Sequence, residues 1–445
     1  MLSSFNGPDL PTELWNQILP LAAGANNSIE FRGIDDTGPM CCSSCTFPVF
    51  KPGTVRKSLK TKRSMVLVNH EWNTIATPIL YEHLTISRGV ELKKLSATLT
   101  SEDDDGLSLG RFVKRLDLTN NAADRIPIGV AIELCQKMVN LVTFFVRLEG
   151  NINPVPLLAA LGPQLRQLEI QVHNERVASS MSFDNLLEFL NGHPNLTSIS
   201  FPFVITGLDE ASHELLAKNS KTRRWPSIHK WTFQHPTQTS ALALHVSPGA
   251  FPSLTEIGFD QCAHALFRCQ WSEDMKGFLV AHGGSLLSIG LWLRGEHRGL
   301  CELSRSFQRN SDFCPRTNGV DISIITHGER GIVTGWTAWF DQVCRMPQIT
   351  TLGVRLCSPR HGDERIVCIH YAVALPWPKI FPKLERIRVL LVEELDIDRY
   401  RIHDDVTRKY LTSPARWATR PIRVEDVSGT ILGEQSKGLC TLVER

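Results

Sequence analysis

The sequence is poor in the features that mark the commonest functional classes. It has no run of ~18 apolar residues, so no segment reads as a membrane-spanning helix. It has no excess of either charge: 48 basic and 46 acidic residues leave a formal net charge of +2. That balance gives no electrostatic footprint for nucleic acid or an anionic membrane. The N-terminus, Met1-Leu2-Ser3-Ser4-Phe5, lacks a basic segment followed by an apolar one, so a secretory signal is not expected. No glycine-rich phosphate loop, G-x-S-x-G or H-E-x-x-H occurs, and no nucleophile stands at recognisable spacing from a base. Catalysis is therefore not expected, and no cofactor is implied.

Cysteine is present, 12 residues in all, but mostly singly and in apolar settings. Free, largely buried thiols in a reducing compartment are the expectation, which places the protein in the cytosol or nucleus. Cys42 and Cys45 have C-x-x-C spacing beside Cys41. Such a pair chelates zinc when a second pair completes the site. None follows, so ordinary thiols in a loop are expected and no metal is assigned. The 15 histidines are scattered. At 445 residues with 42% hydrophobic and 21% charged content, the chain is globular and too long for one ordinary core.

Residues 9–22 predict a short amphipathic helix, with Asp9 as N-cap and Pro11 in the first turn. Leu10, Leu14, Ile18 and Leu21 recur at helical spacing. Residues 24–57 carry Pro39, Pro48 and Pro52 among glycines and serines, and read as an irregular insertion. Helical character returns over 58–77, where Leu67, Val68, Trp72 and Ile75 fall on adjacent turns; Pro78 is expected to end that helix. Residues 79–86 form an apolar exit turning into a short strand. A second helix and the acidic run Glu102-Asp103-Asp104-Asp105 fill 89–110, expected to be a linker.

From residue 113 one spelling recurs: apolar, two spacers, apolar, one spacer, apolar. It appears as Val113/Leu116/Leu118, Leu141/Phe144/Val146, Leu165/Leu168/Ile170 and Leu196/Ile199/Phe201. It continues as Ile228/Trp231/Phe233, Leu254/Ile257/Phe259 and Leu286/Ile289/Leu291, and ends with Ile349/Leu352/Val354 and Leu384/Ile387/Val389. A degenerate copy fits near Val320-Asp321-Ile322-Ser323-Ile324. Pro163, Pro194, Pro226, Pro252, Pro347 and Pro382 each stand two positions ahead of a copy. A proline there stops a preceding helix and forces an extended entry into a short strand. Helical segments such as 184–190 and 336–344 lie between. One strand and one helix cannot bury their own apolar faces, but stacked neighbours can. The period of about 30 lies just above the ~20–29 of leucine-rich repeats. A doubly wound α/β domain is the alternative that also alternates strand and helix.

The head resembles an F-box split by the insertion. The family opens Leu-Pro-x-Glu-Leu with Ile-Leu following, here Leu10-Pro11-Thr12-Glu13-Leu14 and Ile18-Leu19. Its second half is matched by Leu67-Val68-Asn69-His70-Glu71-Trp72, with Asn69 where Cys or Ser is commoner. Pro78-Ile79-Leu80-Tyr81-Glu82-His83-Leu84 is similar to the exit of many fungal F-box proteins. The resemblance implies a substrate-recognition subunit of a cullin–RING ubiquitin ligase. In such a subunit Leu10, Pro11, Leu14, Ile18, Val68 and Trp72 would line or support contact with a Skp-type adaptor, and through it a cullin scaffold. The repeats would hold an unknown target protein. The alternative is a repeat scaffold with no role in ubiquitin transfer.

The expected architecture is α/β. A small helical F-box occupies 1–88, with its loop at 24–57, and the linker 89–110 follows. An irregular leucine-rich-repeat solenoid spans 111–395, a curved parallel sheet with helices on the convex side. A polar cap and tail take 396–445.

Overall fold

The computed structural model describes residues 11–23, 52–86, 88–100, 108–118, 128–148, 153–172, 180–206, 223–260, 270–294, 314–325, 346–357, 377–389 and 423–425. The chain divides into two compact units. Of the described residues, the first unit takes those up to Val146 together with Ala160–Leu165; the second takes Arg147–Ala159 and those from Arg166 onward.

The first unit opens with α1 (Thr12–Ala22), α2 (Pro52–Val66) and α3 (His70–Tyr81), followed by strand β1 (His83–Ile86). Four sequence expectations change here. α1 starts at Thr12, not at Asp9, which lies outside the described residues. Pro11 occupies the N-cap position at φ −54°, ψ 144° with no side-chain cap. Proline disfavours helical backbone in the residue before it, so the helix starts beyond it. The segment expected to be loop up to residue 57 is helical from Pro52, because proline suits a first helical position. The single helix expected over 58–77 is two helices. They part at Leu67 and Val68, and the Asn69 side chain accepts from the Trp72 N–H at 2.8 Å to start α3. Pro78 lies inside α3 rather than ending it.

Residues 89–110 hold α4 (Gly89–Thr100) and a 3-10 turn, Leu109–Phe112. Leu92 and Leu99 of α4 are fully buried, so this segment packs into the unit. The first unit also continues past residue 110, because β1 pairs in parallel with β2 (Arg115–Leu118), which pairs with β3 (Thr143–Leu148). Helix α5 (Ile128–Lys137) lies between β2 and β3 in the chain. A Cβ at Gly110 would sit 2.7 Å from the Lys137 carbonyl oxygen, so the turn needs glycine there.

The second unit repeats one plan. Its strands are β4 (Gln167–Val172), β6 (Ser198–Phe201), β8 (Lys230–Phe233), β9 (Glu256–Asp260), β10 (Ser288–Arg294), β11 (Gly319–Ile325), β12 (Thr351–Cys357), β13 (Arg386–Val389) and β14 (Arg423–Glu425). They neighbour one another in that order, and every described pairing is parallel. Two further short strands, β5 (Ser180–Ser182) and β7 (Val204–Thr206), pair with each other. The helices between are α6 (Val155–Ala159), α7 (Phe183–Gly192), α8 (Pro236–His245), α9 (Gln270–His282) and α10 (Trp377–Ile380). α7 realises the helix expected at 184–190, capped by Ser182. The helix expected at 336–344 lies outside the described residues.

The recurring prolines follow helix ends, as at Gly192 and Ile380, and also shape a turn. Each sits second in a four-residue turn that closes when the first apolar residue of the motif donates its N–H backward. Leu196 bonds His193, Ile228 bonds Trp225, Leu254 bonds Phe251, Ile349 bonds Met346 and Leu384 bonds Phe381. Proline presets the backbone for that second position. Immediately after the turn, two successive N–H groups share one carbonyl of the previous repeat. Thr197 and Ser198 share Arg166, His229 and Lys230 share Thr197, and so on to Glu385 and Arg386 on Thr350. The degenerate copy is a full one: Pro315 leads it, Thr317 takes the leading apolar position, and its hydroxyl donates to the Leu286 carbonyl at 3.1 Å.

Alternation along each strand sends one set of residues inward. Leu168, Ile170, Ile199, Phe201, Trp231, Phe233, Ile257, Phe259, Ile289, Val320, Leu352 and Val354 are all buried. The positions between them are Gln167, Glu169, Ser198, Ser200, Lys230, Thr232, Glu256, Arg386 and Arg388. A doubly wound sheet is covered on both faces and its strands are apolar throughout. This sheet has one apolar face, and its strand order never reverses. The architecture is that of leucine-rich repeats, in the α/β class. β14 adds a strand within the stretch expected to be cap and tail.

Two buried glutamines stitch successive repeats. Gln234 donates to the Ser200 hydroxyl at 2.8 Å and the Ile170 carbonyl at 3.3 Å. Gln238 donates to the Phe201 and Phe203 carbonyls at 2.8 and 2.9 Å. These bonds satisfy carbonyls where strands β6 and β4 leave the ladder.

Candidate functional site

α1 divides its apolar residues between two faces. Leu19 and Ala23 point inward against Met65, Ala76 and Ile79, with Trp15, Val66, Trp72 and Ile75 around them. The Trp15 and Trp72 rings lie 4.7 Å apart at 57°. Two polar contacts fix the packing: the Ser58 hydroxyl donates to the Ala23 carbonyl at 2.6 Å, and the Thr12 hydroxyl donates to Glu71 Oε1 at 3.0 Å.

The other face of α1 is open. Leu14 is 40% exposed, Ile18 39% and Leu21 64%, at i, i+4 and i+7. The α2–α3 turn adds Leu67 at 83% and Val68 at 56%. Five large aliphatic side chains exposed on one small three-helix unit go beyond the singly scattered apolar residues normal on a surface.

Of the six residues singled out in the sequence, Leu10 lies outside the described residues. Pro11, Leu14, Ile18 and Val68 are exposed, and Trp72 is half-buried against Trp15. The expected apolar face Leu14–Ile18–Leu21 is thus an outward stripe, and the head's core uses the neighbouring Trp15–Leu19–Ala23 line. Trp15 and Leu67 were not among the six; Trp15 is legible only as the i−4 partner of Leu19.

Both signs of charge border this surface: Glu13 of α1 and Glu71 of α3 are exposed. α2 carries no acidic residue, and Lys60 and Arg63 project to solvent. Lys62 is buried, and burial lowers its pKa while the charge of Glu82 works the other way.

The first unit also holds a concentrated cluster of charged side chains. The His83 Nε2 meets Asp117 Oδ2 at 2.8 Å, and Arg115 Nε lies 3.0 Å from both carboxylate oxygens. Asp117 is fully buried, which by itself raises its pKa. Arg115 and His83 outweigh burial and leave it lowered. The Thr85 hydroxyl meets the same His83 nitrogen at 3.3 Å. The cluster pins β1 to β2. Among the described residues no three His, Cys, Asp or Glu side chains group as metal ligands; Cys41, Cys42 and Cys45 lie outside them. Cys135 and Cys314 are buried, and burial pushes both thiols up to about 12, which keeps them protonated. No described helix is long and apolar enough to cross a membrane.

No model of a known protein family matches the chain, and comparison with curated proteins finds no match. Among solved structures, the chain is similar to the leucine-rich repeat-containing protein LegL7 from Legionella pneumophila. The identity is 14% and the TM-score 0.35, over 68% of this chain and 89% of that one.

Proposed function

We propose that the chain recruits targets to a cullin–RING ubiquitin ligase, with its head docking to a Skp-type adaptor and its repeats holding the target protein. The observation that carries this reading is the outward placement of Leu14, Ile18 and Val68. In the F-box pattern these residues meet the adaptor. An internal role would have buried them, as it buries Leu19. Exposed aliphatic anchors beside a tryptophan pair are the composition of a helix-docking surface. The chain performs no bond-making step of its own in this account. It holds the target near the conjugating enzyme and so raises the effective concentration of the target's lysines.

The test is a pull-down of the full chain with a purified Skp-type adaptor. Stable capture of wild type, abolished by Leu14→Asp with Trp72→Ala, supports the proposal. No capture of wild type leaves the second reading, a repeat scaffold that binds partners without ubiquitin transfer.

A further inference from the structure

α2 carries five basic residues between Arg56 and Arg63 and no acidic one. Lys60 and Arg63 are exposed, and neither forms an ion pair with a described residue. Three hydroxyl side chains of α2 are described, and they differ. Ser58 is half-buried and donates to the Ala23 carbonyl, Thr61 is half-buried, and Ser64 is exposed. The Ser64 hydroxyl donates only within its own helix, to the Lys60 carbonyl at 3.1 Å. Ser64 also stands where α2 ends. The Leu67 N–H donates to the Ser64 carbonyl and the Val68 N–H to the Met65 carbonyl, both at 3.2 Å. In a turn closed this way, residues three apart eclipse one another. Leu67, 83% exposed, is therefore the neighbour of the Ser64 side chain, with Val68 beside it.

We propose that Ser64 is a phosphorylation site for a serine kinase that reads basic residues, and that the added phosphate closes the head's docking surface. Lys60 and Arg63 already project to solvent, and they complement a kinase whose substrate groove is acidic. Lys62 is buried, but it lies in the last turn of the helix, where fraying brings it out. In the transfer, the Ser64 Oγ bonds to the γ-phosphorus of ATP while that phosphorus loses its bond to the β-phosphate oxygen. ADP leaves, and the hydroxyl proton passes to the kinase's base. The product carries close to two negative charges. At the C-terminal end of a helix the macrodipole opposes them. Beside Leu67 and Val68 they must also be stripped of water by any partner that covers those side chains. Both effects act against docking. The consequence for docking rests on the proposed adaptor contact; the modification itself rests on α2 alone.

The experiment treats the full chain with ATP and the catalytic fragment of a protein kinase C-type enzyme, and maps phosphate by mass spectrometry. The chain is then titrated with a purified Skp-type adaptor. Ser64 is expected to be modified in wild type, at least about fivefold more slowly in the Lys60→Ala/Arg63→Ala double variant, and not in Ser64→Ala. Phosphorylated wild type should bind the adaptor at least about tenfold more weakly than the unmodified chain, whereas kinase-treated Ser64→Ala binds as before. Hydrogen exchange at the Leu67 and Val68 amides, read without adaptor, should quicken on phosphorylation. A chain left unmodified at Ser64, a rate indifferent to Lys60 and Arg63, or a phosphorylated chain with unchanged adaptor affinity each overturns the assignment. If the unmodified chain captures no adaptor, the docking reading is what fails. The amides then decide the rest: unchanged exchange after phosphorylation overturns the assignment, and quickened exchange supports it.

Discussion

The head and the array put the same kind of residue to opposite uses. In the array, leucine and its substitutes at the repeat positions are inside: Leu165, Leu168, Leu196, Ile199, Leu254 and Leu352 are all buried. In the head, one recognisable pattern is split between surface and core: Leu14 and Ile18 face solvent, while Leu19 is buried. A pattern that repeats many times along a chain is a packing pattern, because each copy has a neighbouring copy to bury against. A pattern that occurs once need not be. Those of its apolar residues that stay exposed, Leu14, Ile18 and Val68, are what make it a candidate contact.

The sharpest way to break this contrast is to delete packing where the array depends on it. Trp231→Ala removes the largest fully buried side chain of the sheet, which touches Phe201, Phe233 and Phe251. A loss of about 3–5 kcal/mol is expected, read by chemical denaturation. A cost below 1 kcal/mol would mean that the stacked rungs are not a continuous core.

Next in size is a pH effect confined to the array. His282 is buried against Phe251 and Phe278, and burial lowers its pKa to about 4, with the Leu242 carbonyl opposing. The unfolded chain holds this proton at about 6.5, so it binds more protons between the two values. Stability is full above about pH 6.5 and falls as pH drops toward 4, by on the order of 3 kcal/mol at most. His282→Phe should flatten that part of the stability–pH curve. An unchanged slope would show that the imidazole is already solvated.

Gln238→Ala strands the Phe201 and Phe203 carbonyls, for an expected cost of about 1–3 kcal/mol. Urea melts of the variant against wild type measure it. In the head, Asn69→Ala removes the cap of α3 and should cost about 1 kcal/mol. If it costs nothing, the break between α2 and α3 does not depend on that cap.

Much of the array was legible because it is redundant. The motif, its prolines and its buried positions recur, so one degraded copy does not hide the series. The Pro315 copy was harder to see because Thr317 replaces the leading aliphatic residue, and hydroxyl-to-carbonyl bonding makes that exchange tolerable in the core. The prolines were visible but their part in the turn was not, since a turn closed by the residue two positions later depends on backbone geometry that composition does not reveal. The glutamine stitches were likewise invisible, because Gln234 and Gln238 acquire meaning only once Ser200, Phe201 and Phe203 lie beside them.

The head was less legible, for a physical reason. Helical periodicity gives two interleaved apolar lines, Leu14–Ile18–Leu21 and Trp15–Leu19–Ala23, and periodicity alone does not say which faces inward. That is decided by the partner helices α2 and α3. The prolines misled in the same region, since Pro52 opens a helix and Pro78 is held within one.

The central claim is that the outward stripe of α1 exists for contact and not for folding. Calorimetric titration of the full chain with a purified Skp-type adaptor, wild type beside the Leu14→Asp/Ile18→Asp double variant, tests it most directly when each protein's melting temperature is recorded too. The account predicts micromolar or tighter binding by wild type, roughly a hundredfold weaker binding by the variant, and the same melting temperature for both. Absence of wild-type binding, or a variant that melts early, would contradict it.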